Sequence, residues 1–110
     1  MSSHVSGTNI ELTRGDTFKR TLSLTDADGN PFVPSSNDVI RFALKRKVKD
    51  ETVLINKVIP NDTLLLKIDP EDTKELPFGD YVYDIQITYP NGDVDTFITV
   101  SKFKITEEVD

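Results

Sequence analysis

Apolar and polar residues alternate with a period of two along most of the chain, and no stretch keeps a helical period over several turns. The first alternating run is NIELT (9–13), which puts Ile10 and Leu12 on one face. A turn at Gly15-Asp16 leads into TFKRTLSL (17–24), where Phe18, Leu22 and Leu24 share a side. DADGN (26–30) reads as a hairpin turn, because Asp-Gly supplies the positive φ angles of a tight connection. PFVPSSND (31–38), with its two prolines, is a loop or an edge excursion. VIRFALKRK (39–47) then sends Ile40, Phe42 and Leu44 inward. VLINKVI (53–59) is β-branched but alternates less cleanly, and TLLLKI (63–68) points Leu64, Leu66 and Ile68 one way. YVYDIQITY (81–89) is the clearest strand, with Tyr81, Tyr83, Ile85 and Ile87 in register.

Asn91-Gly92 is the strongest hairpin signal in the chain. The last strand, 94–105, changes parity: Val94, Ile98 and Val100 share one face, whereas Phe103 and Ile105 share the other. That change predicts a bulge near Ser101-Lys102. About seven or eight short strands with turn signals between them predict an all-β fold, an immunoglobulin-like antiparallel β-sandwich. One short helical turn is expected near 70–75. Residues 1–8, small and polar, read as a disordered tail, and 9–110 as a single sandwich domain.

The stretch DPEDTKELPFGDYVYDIQIT (69–88) gathers acids and tyrosines and invites a catalytic or metal-binding reading of Asp69, Glu71, Asp72 and Glu75. Helix-end chemistry explains the same positions. Asp69 suits the N-cap, Pro70 the first helical position, and Glu71 and Asp72 the positive end of the helix dipole. Leu76 closes the turn, and Pro77 and Gly79 end it. In immunoglobulin-like sandwiches a tyrosine near the start of strand F bonds back to the preceding corner, two residues before the second core cysteine. Tyr81 fits that corner and Tyr83 the cysteine's place, so Asp69, Leu76, Gly79, Tyr81 and Tyr83 are expected to form a structural corner. A catalytic tyrosine needs a partner that lowers its pKa from about 10, and the sequence offers none.

Composition narrows the function classes. The chain has 110 residues, 36% hydrophobic and 29% charged, which suits one globular domain. It has no cysteine, so disulfides, thiolate metal sites and cysteine nucleophiles are excluded together. A net charge of −6 argues against general nucleic-acid binding, which relies on Lys and Arg to neutralise phosphates. The only basic cluster is KRKVK (45–49), with Arg41 nearby; Arg41, Lys45, Arg46, Lys47 and Lys49 are therefore candidate partner contacts on an otherwise acidic protein. The single histidine, His4, has no companion for a zinc site or a Ser-His-Asp triad. Twelve residues counted from Asp26 end at Asn37, where a calcium hand needs a glutamate. RGD (14–16) is accounted for as a turn between strands. The expectation is no enzyme activity, no metal and no cofactor. No apolar run approaches the roughly 20 residues of a membrane span, and the N-terminus lacks an apolar leader, so no membrane association and folding in a cytoplasm are expected.

The order of the motifs LTRGDTF, PEDTKELPFGDYVYDI and the closing FKITEEV resembles small proteins encoded in bacteriophages and prophages of Gram-positive bacteria. It is also similar to the N-terminal β-sandwich domain of siphophage upper baseplate proteins, over about residues 9 to 109. The resemblance carries no catalytic residue. It implies a non-enzymatic structural or adaptor module, tail- or baseplate-associated, that acts through protein–protein contacts in virion assembly. A head or neck position is the alternative within that class. Implied partners are other virion proteins or further copies of the chain. The implied location is the virion, after synthesis in the host cytoplasm. NIELT, the KRKVK hairpin and ITEEVD (105–110) are the expected contact segments. Two rival classes remain: a host-surface or carbohydrate-binding module, for which Phe32, Phe78 and Tyr89 are the candidate loop aromatics, and a small acidic inhibitor of a host protein.

Overall fold

Alternation of the kind seen above has to bury one face of each strand, and two layers of sheet do so here. The computed structural model describes residues 3–6, 9–25 and 28–107. Its elements in chain order are β1 (Ser3–Ser6), β2 (Asn9–Thr13), β3 (Phe18–Thr21), β4 (Val39–Lys45), β5 (Ile55–Ile59), β6 (Leu65–Ile68), α1 (Pro70–Lys74), β7 (Gly79–Thr88) and β8 (Val94–Thr106). A six-stranded sheet runs β1-β2-β8-β7-β4-β5, and a second sheet pairs β3 with β6. The pairings are antiparallel except β2 with β8, which is parallel, Leu12 lying opposite Ile105. This is an all-β, sandwich-like fold with one short helix, as the spacing of the strands predicts.

The inward positions of both layers meet in one core. Ile40, Phe42 and Leu44 of β4, Tyr81, Tyr83, Ile85 and Ile87 of β7, and Phe103 and Ile105 of β8 face Phe18, Leu66 and Ile68 of the small sheet. Each such side chain contributes about 1.5–3 kcal/mol on burial. The rings of Phe42, Tyr83 and Phe103 form a mutual cluster, with centroids 5.1 Å apart for the first pair and 6.1 Å for the other two. Offset and edge-on contacts of this kind add to the area term.

Three sequence expectations are corrected. Ser3–Ser6 pair antiparallel with β2 as strand β1 and are not part of a disordered tail. The edge of β2 opposite β8 offers unpaired backbone groups, which this short segment satisfies. The rest of the expected tail, 1–2 and 7–8, lies outside the described residues, as do Asp26 and Ala27 of the expected DADGN turn. The turn's flanks are nevertheless joined, by a Thr25–Pro31 bridge and a Phe32 N–H···O=C Leu24 bond of 2.9 Å.

The bulge in β8 is also displaced. It falls between Thr96 and Ser101, where the register against β7 slips twice: Tyr83 pairs Ser101, Ile85 pairs Ile98 and Gln86 pairs Thr96. Two extra residues restore the original parity. Val100 and Val94 are therefore exposed, while Ser101, Phe103 and Ile105 are buried. Finally, Leu64 does not extend β6. It takes a left-handed φ of 53°, donates its N–H to Pro60 O at 2.8 Å and accepts from Leu22 N–H at 2.8 Å. These bonds close the 60–63 turn and hold the small sheet, offsetting the conformational cost at a non-glycine residue.

Candidate functional site

The acidic stretch after β6 folds as a helix end, and its side chains are held by lysines. Asp69 has extended backbone angles (φ −85°, ψ 158°) and precedes α1, whose first position is Pro70. The Asp72 carboxylate reaches back to accept from the Asp69 N–H at 2.8 Å. Lys57, from the middle of β5, places its Nζ 2.7 Å from Asp72 Oδ2 and 3.3 Å from Asp69 Oδ2. Lys67 of β6 lies 3.4 Å from Asp69 Oδ1. The hydrogen bond from Lys57, reinforced by Lys67, holds the Asp69 carboxyl below its ordinary 3.8, against the opposing effect of burial. The bond to Asp72 raises Lys57 above 10.5, again against burial.

Linkage then sets the sign of the pH dependence. The contribution of Asp69 is complete above 3.8 and is lost as pH falls through its depressed value. That of Lys57 is complete below 10.5 and is lost as pH rises through its raised value. Replacing Lys57 by Met should therefore lower stability across the neutral range, by an amount that shrinks as pH falls through the depressed Asp69 value. Urea unfolding from pH 2 to pH 7, with parallel wild-type and variant profiles as the contrary result, checks this.

Past α1 the corner closes on tyrosine. The Tyr81 hydroxyl donates to the Pro77 carbonyl at 2.6 Å, while its ring is buried at the base of β7. Leu76 is half-buried against the core and its N–H reaches Thr73 O at 2.9 Å. Thr73, fully buried, accepts from the Gly15 N–H at 3.1 Å, and Arg14 lies over the Phe78 ring at 4.2 Å with Nη1 3.5 Å from Leu76 O. The RGD tripeptide is thus clamped onto the corner instead of being presented at a loop tip. Tyr83 is buried beneath β8, and that burial pushes its hydroxyl pKa up; nearby Arg20 and a hydrogen bond with Ser101 pull the other way.

Gly79 has φ +130°, and a Cβ there would sit 3.2 Å from Arg46 Nη2. Gly79→Ala should destabilise by about 1–3 kcal/mol, chiefly through backbone strain. Chemical denaturation measures the loss, and an unchanged midpoint would show that the corner relaxes freely.

The basic candidates do not form one surface. Arg46 is drawn to the corner, its guanidinium 4.6 Å from the Tyr81 ring centroid, a cation–π contact. Arg41 is on the outer face of the large sheet and donates to Asn56 Oδ1 at 3.3 Å. Lys45 lines a shallow hollow with Ala43, Val48, Val82 and Val100, and Lys47 and Lys49 are exposed in the β4–β5 connection. The three loop aromatics are engaged within the chain. Phe32 packs on Phe97 with centroids 5.0 Å apart, Phe78 lies under Arg14, and the Tyr89 hydroxyl donates to Asp95 at 3.0 Å.

Of the expected contact segments, NIELT is not an edge, since β2 lies between β1 and β8. ITEEVD begins in β8, and its residues 108–110 lie outside the described ones. The six-stranded sheet ends on β1 and β5, neither of which the sequence reading singled out. For β5 the signal was the poor alternation of 53–59, followed by Pro60.

Among the described residues no group of three His, Cys, Asp or Glu side chains could hold a metal ion, and no buried side-chain polar atom lacks a partner. Compared with known proteins, the chain matches no protein-family model and no curated protein. The class defined by fold and surface is an all-β, sandwich-like domain.

Proposed function

We propose that this domain is a non-enzymatic structural or adaptor module that works by holding other proteins, and that its setting is a phage particle, at the tail or baseplate. The sequence resemblance supplies the setting. The observation that carries the protein-binding reading is the unpartnered side of β5, in a region where Val33, Val53, Leu54 and Val58 are exposed. A sheet edge of this kind, with apolar side chains beside it, suits strand or edge recruitment. The side chains that could have served chemistry have structural work instead: Asp69 and Asp72 bind lysines, Tyr81 holds Pro77 and Tyr83 fills the core.

In a particle built of repeated parts, weak single contacts suffice when many act together. Mass spectrometry of purified particles from a phage encoding the chain should find it in fixed ratio to tail proteins. Absence from the particle would overturn the reading.

A further inference from the structure

β5 has one strand neighbour, β4, and stands at the end of the six-stranded sheet. The one charge of β5, Lys57, is turned inward to Asp72 and Asp69, and the outer face of the strand carries only the uncharged Asn56 and Val58. Apolar side chains collect here. Of the nine exposed large hydrophobics among the described residues, five adjoin this strand, and Val33 is 85% exposed.

A groove of about 620 Å³ continues the edge, with Val33, Pro34, Val39, Val58 and Pro60 in its walls. Its shape is braced from within. The Asn61 side-chain amide donates to Ser35 O and Asp38 O, both at 2.7 Å, and the Ser35 N–H donates to Asp38 Oδ2 at 2.8 Å. A partner therefore meets a surface already in shape, which lowers the ordering cost of binding. The charged residues lining the groove, Asp38 and Asp62, are both acidic, so electrostatic complementarity asks for a cation. A second copy of the chain is poorly suited. It brings a net charge of −6 to a groove whose charged residues are acidic.

We infer that the free edge of β5 and the adjoining groove dock an extended peptide segment of another protein. The segment adds beside β5 as a further strand, seats an aliphatic side chain against Val33 and Val58, and turns a lysine or arginine toward Asp62. The inference rests on the protein-holding function proposed above and assigns it a place and a chemistry.

The test is an NMR titration of the labelled full chain with capped peptides of about six residues, alternating valine and threonine. One set carries arginine at the first or the last position, and a matched set carries glutamate. Amide shifts should map to Ile55–Ile59 and to residues 33–39, with the better arginine peptide binding at least about threefold tighter than its glutamate counterpart. The end at which arginine is preferred reports the strand direction. Asp62→Lys should remove or reverse the charge preference, and Val58→Lys and Asn61→Ala should weaken binding. Val100→Lys, on the outer hollow, should leave it unchanged.

Shifts confined to the hollow around Val82 and Val100, equal binding of arginine and glutamate peptides, or no shift at about 5 mM peptide would overturn the assignment. Failure of the broader reading is distinguishable. If Val58→Lys and Asp62→Lys leave incorporation into particles unchanged, the edge assignment falls and the protein-holding function stands. If the unaltered chain never enters a particle, the virion setting falls whatever the peptides do.

Discussion

Phe42→Ala should remove about 3–5 kcal/mol of stability, the largest single loss expected in this domain. The side chain is fully buried, sits at the middle of β4, and touches the rings of both Tyr83 and Phe103. Truncation forfeits the transfer energy of the ring and leaves a cavity that three rigid strands cannot collapse to fill. Domains of this size have about 5–15 kcal/mol in total, so the variant would be close to the limit of folding. The expected fall in melting temperature is about 12–20 °C. Urea unfolding should show a lower midpoint at an unchanged slope. A loss below about 1 kcal/mol would mean that the core repacks around the gap, and that the aromatic cluster is not the centre of the sandwich.

Tyr81 should show a graded response that separates its ring from its hydroxyl. Tyr81→Ala is expected to cost about 3–5 kcal/mol, because the ring is 1% exposed and supports Arg46 on one side. Tyr81→Phe keeps the ring and removes the 2.6 Å bond to Pro77 O. Its cost should be about 1–2 kcal/mol, the value of one well-formed hydrogen bond; Pro77 is exposed, so water can reach the abandoned carbonyl. Equilibrium unfolding of the two variants side by side measures both. If Tyr81→Phe matched wild type, the hydroxyl bond would be incidental and the corner would be held by packing alone.

The size of these effects reflects how much of the inner architecture was legible in the residues. Strict alternation in 39–45 and 81–88 assigned Ile40, Phe42, Leu44, Tyr81, Tyr83, Ile85 and Ile87 to one face, and all are buried. A two-residue period leaves no freedom about which face turns inward once a core exists. The helical turn was equally readable, since Asp69-Pro70 starts a helix by local chemistry and α1 begins at Pro70. Parity in β8 was harder. The apparent change of parity between 94 and 105 came from Val94 and Val100, which are exposed, while the two real slips cancel in the parity count. Bulge position depends on which residues of β7 lie opposite.

The binding surface was read least well, for a related reason. Basic residues at 41–49 looked like one patch along the chain, yet Arg46 turns to the Tyr81 ring and Arg41 to Asn56. NIELT looked like an edge, but β1 and β8 enclose it, whereas the irregular run 53–59 ends the sheet. Lys57, an ordinary surface lysine in the sequence, is the inward anchor of two carboxylates twelve and fifteen residues away.

The sequence by itself determined the all-β class, the buried face of each regular strand and the helical turn, because these follow from local backbone preference and two-residue periodicity. Only the tertiary structure decided which strands end the large sheet, where β8 bulges, and which charges are consumed inside the fold. Those outcomes depend on strand order and on pairings between residues far apart in the chain, which no local pattern records.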